Sequence, residues 1–169
     1  VRDFIPDFST SASNLPALKA HLAITKGCNN YCSFCVVPLT RGTEVSRSPQ
    51  NILEEATRLC DNGTREICLL GQNVNSYHAN GVDFVELLQQ LDGIKNLERI
   101  RFTSPHPKDF HPKLADAMAS LPSVCEQLHL PLQSGSNEVL KRMRRWYTTQ
   151  TYLEKVEMFR SRMPEGTIS

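Results

Sequence analysis

The nine residues GCNNYCSFC, at positions 27–35, are the most informative stretch of this chain. They contain three of its six cysteines, Cys28, Cys32 and Cys35, in the spacing CxxxCxxC. An even number of cysteines in a short secreted chain would favour disulfides. The flanking sequence, however, has the helix and strand periodicity of a domain that needs no such cross-links. We therefore interpret the three cysteines as metal ligands in a reducing compartment.

Three thiolates on one short loop can bind three corners of a cubane iron–sulfur cluster and leave its fourth iron open. An open iron is a site for a substrate. Zinc is one alternative, but a structural zinc site usually has a fourth Cys or His and closed tetrahedral geometry. His21 is a nominal fourth ligand that falls within a predicted strand. A chance grouping of cysteines is the other alternative, and the spacing favours the cluster.

Outside this loop, apolar runs alternate with segments of helical periodicity. Strands are predicted at residues 21–25, 65–71, 99–104 and 126–133, and a further strand begins at 166–169. Helices are predicted at residues 49–62, 84–91, 112–121, 138–144 and 151–163. Ser48 before Pro49 is typical of a helix start, and Gly63 follows the same helix.

This alternation indicates an α/β fold in which parallel strands are joined by crossover helices. The sheet is either open or closed into a barrel, and in both cases functional residues gather at the carboxyl ends of the strands. The segments that follow the four predicted strands should therefore meet at one edge. They are residues 27–35, 71–77, 104–107 and 133–137.

The cysteine motif, with aromatic Phe34 directly before its last cysteine, resembles the signature of the radical S-adenosylmethionine (SAM) superfamily. The resemblance implies a [4Fe–4S] cluster whose open iron is chelated by the methionine end of SAM, with Phe34 near the adenine. Packing beneath the cluster is the plainer interpretation of Phe34. In this superfamily the reduced cluster cleaves SAM to a 5′-deoxyadenosyl radical, while the protein positions the reactants.

Five further segments resemble, in order, the MiaB branch of the tRNA methylthiotransferases. They are residues 41–49, 70–77, 103–107, 129–137 and 139–147. The resemblance implies that a methylthio group replaces hydrogen at C2 of N6-isopentenyladenosine next to the tRNA anticodon. It also implies a partial radical-SAM (β/α) barrel, with about four βα units of an expected six.

Candidate contacts to SAM lie on the loops that follow the predicted strands. Gly71 permits close backbone approach, and the amides of Gln72 and Asn73 suit the charged methionine end of SAM. The alternative for these three residues is a satisfied strand-to-helix turn. Glu44 and Arg47 either bracket the SAM carboxylate or pair with each other.

Two serines and one histidine each have a functional and a structural interpretation. Ser134 and Ser136 either bond the ribose hydroxyls or carboxylate of SAM or cap the following helix. His106 is either a substrate contact or an ordinary satisfied histidine. The isolated Cys60 and Cys125, like Cys68, are interpreted as buried thiols without a role as ligands.

The formal net charge of +1 excludes a bulk positive field, so any RNA contact must be local. Residues 141–147 combine four cations with two aromatic residues and could neutralise phosphates and stack a base. Arg144, Arg145 and Tyr147 are the candidate tRNA contacts there. A solvated helix face explains the same charges. The composition, 40% hydrophobic, indicates no membrane-spanning class.

The chain is expected to be a fragment, with residues 1–20 as a linker from a missing upstream domain and 21–169 as a truncated radical-SAM core. The resemblance implies a second cluster in that upstream domain, an electron donor, and no activity of the fragment alone. It also suggests a mitochondrial location, with a cytoplasmic one as a further option, and association with a kinase regulatory subunit. No targeting segment is recognised. The alternatives are a kinase-regulatory binding module without catalysis and a radical-SAM enzyme with a protein substrate.

Overall fold

A computed structural model describes residues 17–169 and has the predicted α/β alternation. Its strands are β1 (Lys19–Ala23), β2 (Thr25–Lys26), β3 (Val45–Ser46), β4 (Glu66–Leu70), β5 (His78–Ala79), β6 (Val82–Asp83), β7 (Arg99–Phe102), β8 (Gln127–Leu128) and β9 (Thr167–Ile168). Its helices are α1 (Val37–Thr40), α2 (Pro49–Asp61), α3 (Phe84–Asp92), α4 (Pro112–Ser120), α5 (Asn137–Arg142) and α6 (Thr149–Arg162), with 3₁₀ turns at Val74–Ser76 and Pro107–Asp109. The linker predicted at 1–20 lies mostly outside the described residues.

Five parallel segments follow one another in chain order across the fold. β1, β4 and β7 form the central sheet, with Leu22 beside Leu69 and Leu69 beside Phe102. Val124 then forms a parallel bridge with Ile100, and β8 pairs in parallel with β9. Parallel neighbours in sequence order, each reached through a crossover, are the arrangement of an incomplete (β/α) barrel.

The fourth strand is much shorter than the predicted range 126–133, because regular pairing is confined to Gln127–Leu128. Leu130 still donates to the carbonyl of Ser169, but Pro131 has no N–H to donate and ends the pairing. The first strand is also displaced, since β1 ends at Ala23 and Thr25 pairs with Ser46 in a separate two-stranded ribbon.

One face of the sheet packs against the helices to form the core. Ser48 caps α2 by accepting the N–H of Asn51, and the buried face of that helix includes Ile52 and Cys60. Ile67 on β4 is fully buried beneath these helices. No helix in residues 17–169 is long and apolar enough to cross a membrane.

The opposite face of the sheet is polar and centres on Glu66, which is 7% exposed. Its carboxylate contacts Arg99 at 2.9 Å and Arg101 at 3.2 Å. The prediction of buried thiols is wrong for Cys68 and Cys125, which are only half-buried and lie near the charged groups of this polar face. Cys60 is buried as predicted.

A three-cysteine loop at the carboxyl ends of the strands

The cysteine loop follows β2 and is anchored by backbone hydrogen bonds. Gly27 has φ +78°, and a Cβ there would lie 2.1 Å from the carbonyl oxygen of Thr43, so the position requires glycine. Its N–H donates to Oε1 of Gln72 at 2.6 Å. The N–H of Cys28 donates to the carbonyl of Gly42. The start of the loop is therefore held against the segments that follow β4 and precede β3.

The three loop cysteines are free thiols with different exposure. Cys28 and Cys32 are buried, whereas Cys35 is half-buried. Burial raises the pKa of the Cys28 thiol; the backbone N–H of Asn30, 3.5 Å from its sulfur, opposes that increase, and the Glu44 carboxylate adds to it. Binding of a metal here must therefore displace a proton from Cys28.

The donor set fits an iron–sulfur cluster. Within residues 17–169 no three Cys, His, Asp or Glu side chains are arranged to hold one metal ion. A cubane does not require such an arrangement, because each of its thiolates binds a different iron. Cys28 and Cys32 nevertheless lie close enough for their charges to interact, as do Cys28 and Cys35.

A buried guanidinium lies against the same loop. Arg145 is 6% exposed, and its Nη1 is 3.4 Å from Sγ of Cys32. Its Nε donates to the hydroxyl of Tyr147, which donates in turn to the carbonyl of Leu132 at 2.9 Å. The loop that follows β8 is thereby linked to the cysteine loop. Sequence reasoning missed the contact between Arg145 and Cys32, and a separation of 113 residues left no pattern to indicate it.

The predicted basic patch at residues 141–147 is divided between two environments. Arg144 and Trp146 are exposed, whereas Arg145 and Tyr147 are buried. The prediction of one surface patch is therefore wrong for the buried pair. Helix α5 ends at Arg142, so residues 144–147 lie beyond it, and their side chains alternate between exposed and buried positions.

His106 is buried and held in one orientation. Its backbone N–H and carbonyl both bond the side chain of Asn75, at 2.8 and 3.2 Å. Its Nδ1 accepts from the N–H of Lys108, so the ring proton lies on Nε2, which has no partner. Burial lowers the pKa of His106 to about 3, and the charges of Arg145 and Lys108 contribute. His106 is thus a neutral donor with an unused N–H, not a satisfied histidine.

The loop after β4 is packed too tightly for other residues at its first position. A Cβ on Gly71 would lie 2.2 Å from Oγ1 of Thr25. Asn73 is buried and donates to Asp109 at 2.8 Å, but its Oδ1 has no partner. Gln72 is exposed and uses its Oε1 for Gly27. The turn is therefore partly satisfied, and the side-chain amide oxygen of Asn73 is left without a partner.

Glu44 and Arg47 do not pair with each other, so that alternative is wrong. Arg47 binds Glu55 at 2.6 Å and the carbonyl of Ala23 at 2.8 Å. Glu44 accepts from the hydroxyl of Ser76 at 2.8 Å. Burial raises the pKa of Glu44, the hydrogen bond from Ser76 opposes that change, and the charge of Asp109 adds to it.

The remaining predicted cofactor contacts occupy the rim. Ser136 caps α5 by accepting the N–H of Val139, and Ser134 accepts the N–H of Ser136. Both hydroxyls therefore take part in the cap. Phe34 is 53% exposed, so it does not pack in the protein core, and both interpretations of its role stay predictions.

Strained backbone is concentrated in the loops of this site. Apart from glycines and two asparagines, the described residues with positive φ are Tyr31, Ser104, Gln133, Arg144 and Trp146. Each such residue costs about 1–3 kcal/mol and persists only where its surroundings enforce it. Three of them follow β2, β7 and β8, and two flank Arg145. This distribution marks the carboxyl edge of the sheet as the functional region.

Comparison with known proteins identifies the superfamily of this chain. The family description "Radical SAM superfamily" matches residues 22–169. The tRNA-2-methylthio-N(6)-dimethylallyladenosine synthase of Protochlamydia amoebophila is 51% identical over 151 residues, which cover 87% of this chain and 34% of that protein. The enzyme of the same name from Thermoanaerobacter sp. (strain X514) is 46% identical over 177 residues, which cover 100% of this chain and 38% of that protein. The chain thus spans about a third of the length of these curated relatives.

Solved structures share the fold at low sequence identity. The radical SAM methyltransferase TsrM of Kitasatospora setae superposes with a TM-score of 0.67 at 18% identity, covering 85% of this chain and 29% of TsrM. The cobalamin-dependent radical SAM enzyme OxsB gives 0.70 at 15% identity, covering 88% of this chain and 23% of OxsB. Both are more distant than the two synthases and support the fold alone. The chain belongs to the radical SAM superfamily.

Proposed function

We propose that this chain is the SAM-binding and SAM-cleaving part of a tRNA methylthiotransferase that modifies N6-isopentenyladenosine. The observation that carries the proposal is the loop of three free thiols, two of them buried, at the carboxyl edge of a parallel sheet. Relatives named as synthases of the 2-methylthio nucleoside support the substrate assignment.

In this proposal Cys28, Cys32 and Cys35 hold a [4Fe–4S] cluster, and the thiol proton of Cys28 is lost as it binds. When bound and reduced, such a cluster supplies the electron that cleaves SAM. The protein contributes position and polarity. The unpartnered Oδ1 of Asn73 would accept a hydrogen bond from the amino group of SAM, and exposed Phe34 would offer a ring face to the adenine.

In this proposal the substrate base accepts a hydrogen bond from His106, a donor that stays neutral. His106 keeps its proton on Nε2 over the physiological pH range, because burial holds its pKa near 3. A buried donor without a partner costs about 1–3 kcal/mol, so a ligand that accepts from it gains binding energy. We assign His106 to the modified adenosine for this reason. Exposed Arg144 would contribute to phosphate binding, an effect that is weak for a single contact.

The cluster assignment is tested by anaerobic reconstitution of the 169-residue chain. Wild type should bind about four irons and show a SAM-dependent change in the electron paramagnetic resonance of its reduced form. Replacement of Cys28, Cys32 or Cys35 by Ala should abolish this site. Cys60→Ser and Cys68→Ser are matched controls that should retain it. Cluster content that survives any of the three alanine replacements would contradict the assignment.

The substrate is tested separately by mass spectrometry of isopentenylated tRNA. The tRNA is incubated with dithionite, SAM, a sulfur source and either this chain or a longer protein that contains it. We expect the methylthio product only with the longer protein, because the described cysteines outside the loop, Cys60, Cys68 and Cys125, lie on separate segments and do not form a second three-cysteine loop. Absence of product with the longer protein would reject the methylthiotransferase assignment. Product from the 169 residues alone would reject the need for further domains.

Two other functions follow from the sequence, and no feature of residues 17–169 favours either. A binding module for a kinase regulatory subunit would retain its partner after Cys32→Ala, whereas cluster-dependent catalysis would not survive that change. A radical-SAM enzyme with a protein substrate would cleave SAM without modifying tRNA. The mitochondrial location and the identity of the electron donor stay predictions.

A further inference from the structure

Arg145 is a buried cation that no described carboxylate neutralises. Its polar side-chain contacts are Sγ of Cys32, at 3.4 Å, and the hydroxyl of Tyr147, at 3.2 Å. The guanidinium carbon also lies 5.4 Å from the centroid of the Tyr147 ring. Burial of an unpaired charge is costly, so a native structure normally provides a compensating anion. The atom positioned to become that anion is the sulfur of Cys32 once it is a thiolate.

The backbone around Arg145 is strained in a way that places its side chain. Arg144 has φ 56° and Trp146 has φ 61°, and neither residue type favours the left-handed region. The N–H of Arg145 donates to the carbonyl of Leu140 at 3.0 Å and holds the turn. As a result Arg144 and Trp146 face solvent while Arg145 faces the cysteine loop.

We propose that Arg145 raises the reduction potential of the [4Fe–4S] cluster bound at Cys32 and that Tyr147 positions its guanidinium. The inference rests on the proposed function, since it requires a cluster at this loop. Reduction adds one electron from an external low-potential donor to the cluster, and no bond is made or broken. A nearby permanent positive charge and an N–H donated to a ligand sulfur both stabilise the more negative, reduced state.

Tyr147 is a positioning residue because it holds Nε while Nη1 faces the sulfur. Its hydroxyl donates to the carbonyl of Leu132 and accepts from Nε of Arg145. The hydroxyl is thereby held in place and restrains the guanidinium at Nε. A lysine retains charge at position 145 but has no second donor group with which to reach both Tyr147 and Cys32. Three variants therefore separate these contributions. Arg145→Met removes the charge, Arg145→Lys keeps the charge but removes the second donor group, and Tyr147→Phe removes the hydroxyl that restrains Nε.

The test is a redox titration of the reconstituted chain without SAM, followed by electron paramagnetic resonance, with iron content measured on each sample. Arg145→Met should make reduction of the cluster about tenfold less favourable, which corresponds to about 59 mV for one electron. Arg145→Lys and Tyr147→Phe should shift the potential in the same direction by less. Arg142→Met, which removes an equal charge from an exposed neighbouring side chain, should leave the potential unchanged.

The outcomes separate this inference from the proposed function. Failure of the wild-type chain to bind iron would reject the cluster assignment itself. An intact cluster in Arg145→Met with the potential of wild type would overturn the role of Arg145 and leave it as a structural residue. If Arg145→Met does not bind the cluster, the reduction potentials of Arg145→Lys and Tyr147→Phe are compared with that of wild type. A lower potential in these variants supports the inference, and an unchanged potential rejects it.

Discussion

Replacement of His106 by Gln should remove a pH-dependent loss of stability from the iron-free chain. The folded state keeps His106 neutral, because its pKa falls from 6.5 to about 3, whereas the unfolded chain protonates it near 6.5. The unfolded state therefore binds more protons at low pH, and the stability of the fold falls as pH decreases through 6.5. This loss continues until the pH approaches the folded pKa.

The expected magnitude follows from the two pKa values. At pH 5 the solution is about 1.5 units below the unfolded pKa, and each unit corresponds to about 1.4 kcal/mol. The wild-type chain should therefore lose about 2 kcal/mol between pH 7.5 and pH 5 that the Gln variant does not lose. The result depends little on the folded pKa, provided that it stays well below 5.

The assay is urea unfolding followed by circular dichroism at several pH values from 7.5 to 5, with wild type and His106→Gln side by side. The difference between the two proteins cancels groups common to both, such as Glu44, whose raised pKa stabilises the fold as pH falls. Gln is neutral throughout and retains a donor and an acceptor. A stability difference that stays constant across this range would refute a buried, neutral His106.

Three further predictions test local structure. Gly27→Ala should destabilise the cysteine loop and reduce iron content on reconstitution, because its Cβ would lie 2.1 Å from the Thr43 carbonyl oxygen. Gly42 has a similar φ, but a Cβ there would have no atom within 4 Å, so Gly42→Ala should retain the iron content. Equal loss of iron in both variants would contradict the steric argument. Ser48→Ala should lower the free energy of unfolding by about 1 kcal/mol in urea titrations, since it removes the cap of α2, and no change would show that the cap is unimportant. Cys60→Ser should lower the thermal midpoint while the iron content is unchanged, and a lower iron content in the folded variant would identify it as a ligand.

The fold class and the candidate cluster ligands could be predicted because they depend on local patterns. The face of α2 follows from the helical spacing of Ile52, Ala56 and Cys60, and its start follows from Ser48 and Pro49. The thiols of Cys28, Cys32 and Cys35 share one loop, so their spacing alone suggested a common site. The position of the loop at the carboxyl edge followed from the parallel strands.

Contacts between distant segments could be decided only by the tertiary structure. Arg145 and Cys32 are 113 residues apart, and two residues with positive φ flank the inward-facing guanidinium, whereas the run of cations at 141–147 suggested a local contact with RNA. The same holds for His106, whose unpartnered Nε2 depends on Asn75 and on the burial of the ring. The sequence determined the fold class and the candidate cluster ligands, because local spacing carries that information. The tertiary structure decided which charges and donors surround that site, because burial and long-range packing depend on the assembled fold.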